Sequence, residues 1–173
     1  MNLPNKLTLL RIILVPVFVA LYLLGLFIPA LLVFVIASVT DTLDGRIARK
    51  YNLITNFGKI MDPLADKVLV YAAFCLFVQN GIMPGWMLIV ILFREFAVAG
   101  IRTVAASEGI VIAAGKSGKA KTVLQMIAVP LLIIASLSPF ITIAGQVFLW
   151  ASLVMTVYSG AEYIIKNKSV FLG

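Results

Sequence analysis

The densest chemistry in this chain is a set of four aspartates. They stand in Asp41-Thr-Leu-Asp44-Gly45-Arg46-Ile-Ala48-Arg49 and, after eight further residues, in Gly58-Lys-Ile-Met-Asp62-Pro-Leu-Ala-Asp66; together they are four of the seven acidic residues. On a helix, Asp41 and Asp44 are i,i+3 neighbours and Asp62 and Asp66 are i,i+4 neighbours, which sets the Cβ atoms of each pair about 5–6 Å apart. Four like charges so placed repel one another unless something positive holds them. An all-carboxylate donor set suits the hard cations Mg²⁺ or Mn²⁺, and the absence of histidine from the chain excludes the usual nitrogen-rich zinc site. Four carboxylates are enough to bridge two such ions about 3.5–4 Å apart, an arrangement that activates a nucleophile and neutralises a pyrophosphate leaving group. Gly45 and Ala48 lie on the same helical turn as the first acid pair and leave room for a nucleotide or pyrophosphate to approach the backbone. Pro63 is best tolerated in the first turn of a helix, which places Asp62 there. The bland alternative pairs these acids with Arg46, Arg49, Lys50, Lys59 and Lys67 as solvated salt bridges. That alternative leaves unexplained why two spaced acid pairs, two small residues and a proline share one hairpin.

The elements that must position these residues are membrane helices. Of the 173 residues, 62% are hydrophobic and only 12% charged, far from the composition of a soluble domain. Bases exceed acids by 14 to 7, but a nucleic-acid partner needs a broad solvated basic face, so anionic lipid and phosphorylated substrates fit the excess better and no nucleic acid is expected. Apolar runs of the roughly 20 residues needed to span a bilayer fall at about 8–26, 29–49, 60–79, 84–105, 122–140 and 143–165. The expected fold is therefore all-α and integral to the membrane, with six transmembrane helices in one domain over residues 1–173. The breaks at Gly25/Pro29, Asn80-Gly81/Pro84-Gly85 and Ser138-Pro139/Gly145 carry no charge, whereas the charged residues gather in or beside the N-terminus, 41–67, 94–121 and the tail from Glu162. An even number of spans puts these charged segments on one side, and the positive-inside rule makes that side the cytoplasm, with both termini there. Leu3 to Arg11 reads as a short amphipathic juxtamembrane helix, and 103–121 as a cytoplasmic connector. Gly115-Lys-Ser-Gly118-Lys119 is not a phosphate-binding P-loop, because Ile110 stands where the upstream glycine belongs. The opening of the chain lacks a small-residue cleavage site and reads as a retained helix. Cys75, the single cysteine, reads as lipid-facing or packing.

The aspartate segment resembles the signature of the CDP-alcohol phosphotransferase family, D-x-x-D-G-x-x-A-R, eight residues, then G-x-x-x-D-x-x-x-D. Asp41, Asp44, Gly45, Ala48, Arg49, Gly58, Asp62 and Asp66 match it without an insertion. The resemblance implies six transmembrane helices preceded by a juxtamembrane helix, Mg²⁺ or Mn²⁺ as two ions, and an active site facing the cytoplasm of a bacterial-type cell membrane. It implies Asp41, Asp44 and Asp62 as metal ligands, and Asp66 as the general base, alone or with a ligand's role as well. Gly45, Ala48, Arg49 and Gly58 would line the site for the CDP-lipid, CDP-diacylglycerol.

Within that family, Asn2-Leu-Pro-Asn-Lys-Leu-Thr-Leu-Leu-Arg11, the Arg94-Glu95 pair, Arg102 and Gly118-Lys119-Ala-Lys121-Thr122 are similar to the branch whose acceptor is sn-glycerol 3-phosphate. Arg94 and Arg102 are eight residues apart on one helical face, and with Lys119 and Lys121 they offer a cationic pocket for a phosphate. Contact with anionic lipid headgroups is the alternative use of these bases. Inositol phosphate, inositol or serine are the competing acceptors. A divalent-cation channel would need acids at several membrane depths, and here they gather at one. Gly160 and Ala161 are small enough to serve helix association in a homodimer.

Overall fold

The computed structural model describes the backbone of residues 3–50, 56–107, 109–113 and 115–168, and within these the side chains of all but residues 3, 4, 41–50, 56–60, 62, 63 and 66. Six α-helices account for nearly all of it: α1 Leu3–Leu23, α2 Phe27–Lys50, α3 Asn56–Gln79, α4 Gly85–Ser107, α5 Lys116–Ile133 and α6 Pro139–Lys166. There is no strand among the described residues. Short links join successive helices, so the chain runs up and down. Gly25 and Gly81, both at positive φ, make the tight links after α1 and α3; the left-handed conformation costs glycine no Cβ clash.

Alternation puts the start of α1, the end of α2, the start of α3, the end of α4, the start of α5 and the end of α6 at one end of the bundle. That end carries the aspartate hairpin. The links at the other end, residues 24–26, 80–84 and 134–138, contain no charged residue, and Trp86 and Trp150 pair there with ring centroids 5.9 Å apart.

α1 packs against both α2 and α3, while α5 lies along α6 and α4 also meets α6. Among the described residues, α2 and α3 touch over a smaller surface than either shares with α1, so the expected α2–α3 hairpin is organised around α1. A single apolar core runs through the bundle, with Phe18 of α1, Phe34 of α2, Phe74 and Phe77 of α3, Met87 and Ile91 of α4, Leu132 of α5 and Leu149 of α6 buried in it. The outer faces are also apolar. Phe93, Phe96 and Phe140 are 72, 70 and 78% exposed, a surface that water penalises and lipid accepts. Cys75 is on that exposed side. Asn5–Leu23 and Pro139–Lys166 are long and apolar enough to cross a membrane, and Phe27–Thr40 and Lys67–Gln79 supply shorter apolar stretches.

Several boundaries differ from those expected. Leu3–Arg11 is not a separate juxtamembrane helix: it continues without a break into α1, because no glycine or turn residue separates it from the apolar run. The start of α5 takes over part of the segment expected as a connector, so Lys119 and Lys121 are helical. α6 begins at Pro139, with Ser138 as its N-cap accepting from the Phe140 N–H at 3.3 Å, a serine-proline start signal stronger than the apolar window that suggested 143. α3 begins at Asn56, so Asp62 lies beyond its first turn; the long run of helix-compatible residues outweighs the bond that Pro63 forgoes.

Burial separates the two kinds of aromatic surface and sets their roles in stability. Phe77→Ala opens a cavity at a fully buried position and is expected to cost on the order of 2 kcal/mol, the cavity part of the usual loss. Phe93→Ala faces outward and is expected to change stability by less than about 0.5 kcal/mol. Thermal unfolding of the two purified variants in one detergent checks this; equal melting shifts would reject the assignment of faces.

Candidate active site

At the charged end, α4, α5 and α6 surround an open cavity of about 1000 Å³. Its walls carry Arg94 and Arg102 from α4, Ser117, Gly118 and Lys119 from α5, Glu162, Tyr163 and Lys166 from α6, and Lys67 from α3. The helix pattern explains this convergence. Each of these helices is apolar toward its far end and polar toward the charged end, so their charged residues have one common place to meet.

The wall is held by one carboxylate. Glu95 is 8% exposed, and its Oε1 accepts from Arg94 Nη1 at 2.9 Å and from Lys121 Nζ at 2.5 Å, while Oε2 lies 3.3 Å from Lys67 Nζ. Three helices thus lend a cation to a single acid of α4. Lys121 is the most deeply placed, at 4% exposure. A buried ammonium is tolerated only with a partner of opposite charge, and Glu95 is that partner. Beside it lies a second, small cavity lined by Lys67, Tyr71, Glu95, Lys121, Thr122 and Gln125.

The Arg94 side chain threads between two glycines. A Cβ on Gly160 of α6 would stand 3.0 Å from its Cγ, and one on Gly118 of α5 would stand 3.2 Å from its Nη2. Any larger residue at these positions displaces the arginine. Nε of Arg94 is buried and has no hydrogen-bond partner among the described residues. Arg102 is set differently: its Nε donates to the Tyr163 hydroxyl at 3.2 Å, and its guanidinium carbon lies 5.5 Å from the centroid of that ring. The hydrogen bond and the cation–π contact fix the direction of an otherwise exposed side chain. On the opposite lip, the Ser117 hydroxyl donates to Glu162, which also accepts from Lys166.

Of the residues expected to bind a phosphate, the structure brings Arg94, Arg102 and Lys119 to the large cavity. Lys121 does not line it: the lysine turns toward Glu95 and the small cavity, because two residues along α5 from Lys119 is roughly half a helical circumference. Lys67, counted in the bland alternative as a partner of the neighbouring aspartates, is bonded to Glu95. Gly160, considered for association between copies, is buried against Arg94 within the chain. Asp41, Asp44, Gly45, Ala48 and Arg49 lie in α2, and Gly58, Asp62 and Asp66 in α3; their side chains, and hence the metal-ligand geometry, fall outside the described residues. Sequence reasoning passed over Glu95 as an anchor, Tyr163 as the platform under Arg102, and Gly118 and Gly160 as the flanks of Arg94. An acid in the middle of an apolar helix was the signal that pointed to Glu95.

Residues 1–158 match the profile of the family described as CDP-alcohol phosphatidyltransferase. The chain belongs to the CDP-alcohol phosphatidyltransferase family. It is similar to the CDP-diacylglycerol--glycerol-3-phosphate 3-phosphatidyltransferase of Bacillus subtilis, at 46% identity over 96% of this chain and 95% of the relative. The protein of the same name in Rickettsia typhi is 38% identical over 98% of this chain and 99% of its own length. A probable phosphatidylglycerophosphate synthase of Mycobacterium tuberculosis is 37% identical over 95% of this chain and 81% of its own. This CDP-alcohol phosphatidyltransferase is therefore an enzyme, and the aspartate motif and the cationic cavity lie at the same end of its bundle.

The threading of Arg94 gives a direct check on the cavity. Gly160→Ala is expected to push the arginine and lower kcat/KM of this phosphatidyltransferase for its acceptor several-fold, whereas Gly100→Ala, where an added Cβ meets nothing within 4 Å, leaves it unchanged. Steady-state rates of the two variants, compared at equal folded fraction, decide it.

Proposed function

We propose that this enzyme transfers the phosphatidyl group of CDP-diacylglycerol to sn-glycerol 3-phosphate, giving phosphatidylglycerophosphate and CMP. The observation that carries the reading is the 46% identity, over nearly the whole of both chains, to a Bacillus subtilis protein named for that reaction. The cationic cavity agrees with it, since an acceptor bearing a phosphate needs charge-assisted donors and a neutral alcohol does not.

In this reading residues 1–173 form one domain that crosses a bacterial-type cell membrane six times, with both termini and the charged end in the cytoplasm. The uncharged links at the far end support that orientation. Gly45, Ala48, Arg49 and Gly58 line the donor site. Arg94, Arg102 and Lys119 hold the acceptor's phosphate. Asp66 takes the proton from the acceptor hydroxyl as that oxygen attacks the phosphorus bearing the lipid, and the bond to CMP breaks. Asp41, Asp44 and Asp62, with Asp66, are the residues that would hold Mg²⁺ or Mn²⁺, two ions in all; a donor set of carboxylate oxygens alone fits such hard cations. When bound, these ions supply neutralisation of the pyrophosphate and a more acidic acceptor hydroxyl.

Excess EDTA is expected to abolish turnover and added Mg²⁺ or Mn²⁺ to restore it; full activity in the chelator would reject the metal reading. With CDP-diacylglycerol fixed, glycerol 3-phosphate is expected to be used and free glycerol hardly at all. Arg102→Ala is expected to raise the glycerol 3-phosphate KM about tenfold while the donor KM stays near that of the parent. An unchanged acceptor KM would move the phosphate elsewhere, and preferential turnover of inositol phosphate by the parent would change the acceptor.

A further inference from the structure

We propose that Glu95 is a positioning residue of the acceptor cavity, its one carboxylate holding Lys67, Arg94 and Lys121 as a preformed cationic wall for a phosphomonoester dianion. The proposal rests on the acceptor reading above and extends it to a residue that no aspartate motif includes.

The geometry sets Glu95 apart from a chance surface pair. Its two oxygens meet cations carried by three different helices, at 3.3 Å for Lys67, 2.9 Å for Arg94 and 2.5 Å for Lys121. The acid and Lys121 are both buried and the Arg94 side chain is 13% exposed, so solvent screens these three weakly, while the Lys67 side chain, 43% exposed, reaches the open cavity. Without the carboxylate, the buried Lys121 and the largely buried Arg94 would repel each other, and Lys67 would lose its tie to them. With it, the cluster keeps a residual charge of +2, three cations against one anion. A phosphate monoester above its second ionisation, at a pH of about 6, carries a charge of about −2 and is attracted by this positive excess.

The cations are also placed to be reached. Lys67 and Arg94 line the large cavity with Glu95, whereas Lys121 supports the carboxylate from the side of the small cavity. Lys67 directly follows Asp66 in the chain, so the same carboxylate ties the backbone that carries the proposed base to the wall that would hold the acceptor's phosphate. Loss of the anchor would thus loosen the acceptor's grip first, and the donor site, whose proposed residues do not include the partners of Glu95, much less.

The experiment compares parent, Glu95→Gln and Glu95→Asp in detergent. It measures the KM of glycerol 3-phosphate, the KM of CDP-diacylglycerol, the inhibition constant of inorganic phosphate against the acceptor, and the melting temperature. Glu95→Gln keeps the shape and removes the charge. It is expected to raise the acceptor KM and the phosphate inhibition constant together by about tenfold or more, with the donor KM within about twofold of the parent. Glu95→Asp keeps the charge but withdraws it, and is expected to fall between the two. An unchanged acceptor KM overturns the proposal. A lowered acceptor KM does so as well, since it would mean that the carboxylate merely competes with phosphate for the cations. A fall in kcat and melting temperature without a change in acceptor KM also overturns it, leaving Glu95 a structural group. If Glu95→Gln does not fold, the aspartate variant decides by the same criteria. Failure of the acceptor reading is distinguishable: the parent itself would then neither use glycerol 3-phosphate nor be inhibited by inorganic phosphate.

Discussion

An ionised side chain among apolar helices is tolerated only where its charge is met, and the organisation of this enzyme follows from that constraint. Lys121 lies buried, and its companion acid lies on a different helix. Such a pair can form only if α4 and α5 pack in one register. Arg94 and Lys67 join the same carboxylate, which extends the requirement to α3. Desolvation of Glu95, Lys121 and Arg94 is costly, and clusters of this kind are poor sources of net stability. What they supply is geometry, because losing the contact between Glu95 and Lys121 leaves a buried ammonium without its partner. The apolar core then serves to hold these helices in the register that the charges demand.

Packing and chemistry meet at small residues. Gly118 and Gly160 give up side-chain contacts so that Arg94 can pass between α5 and α6. At the opposite end of α6, Gln146 donates to the Ile82 carbonyl at 2.7 Å, a polar tie that helps close the uncharged end. The bundle therefore has two characters along its length. One end is apolar and closed, and the other is open, cationic and lined by side chains fixed through second partners such as Tyr163 and Glu162. A cavity whose donors are already oriented binds an anion without paying to order them.

The same asymmetry weighs against a cation pathway. A channel for a divalent ion needs favourable sites at successive depths. Here the bundle interior beyond the charged end is filled by Phe18, Phe34, Phe74 and Phe77, and the polar walls described belong to a cavity that opens at one end. Membership in the phosphatidyltransferase family agrees with a site built at the interface, where a water-soluble acceptor and a membrane-embedded donor can both arrive.

The all-helical architecture, the charged end and the aspartate motif were legible in the sequence, because they depend on local order: the period of apolar residues, the place of glycine and proline, and the spacing of acids along one helix. The family could be read from eight identities in a single segment. Helix ends were less legible, as at α1, where an amphipathic start and an apolar continuation form one unbroken helix, and at α5, whose first turns take up lysines expected in a connector. The partners of Glu95, the turn of Lys121 away from the large cavity, the platform under Arg102 and the flanks of Arg94 come from residues far apart in the chain, such as Arg102 and Tyr163. Periodicity gives the face on which a side chain leaves its own helix, but not which helix stands opposite or at what rotation. Only the packed bundle decides that, since the angle between two helices is set by the fit of all their side chains at once.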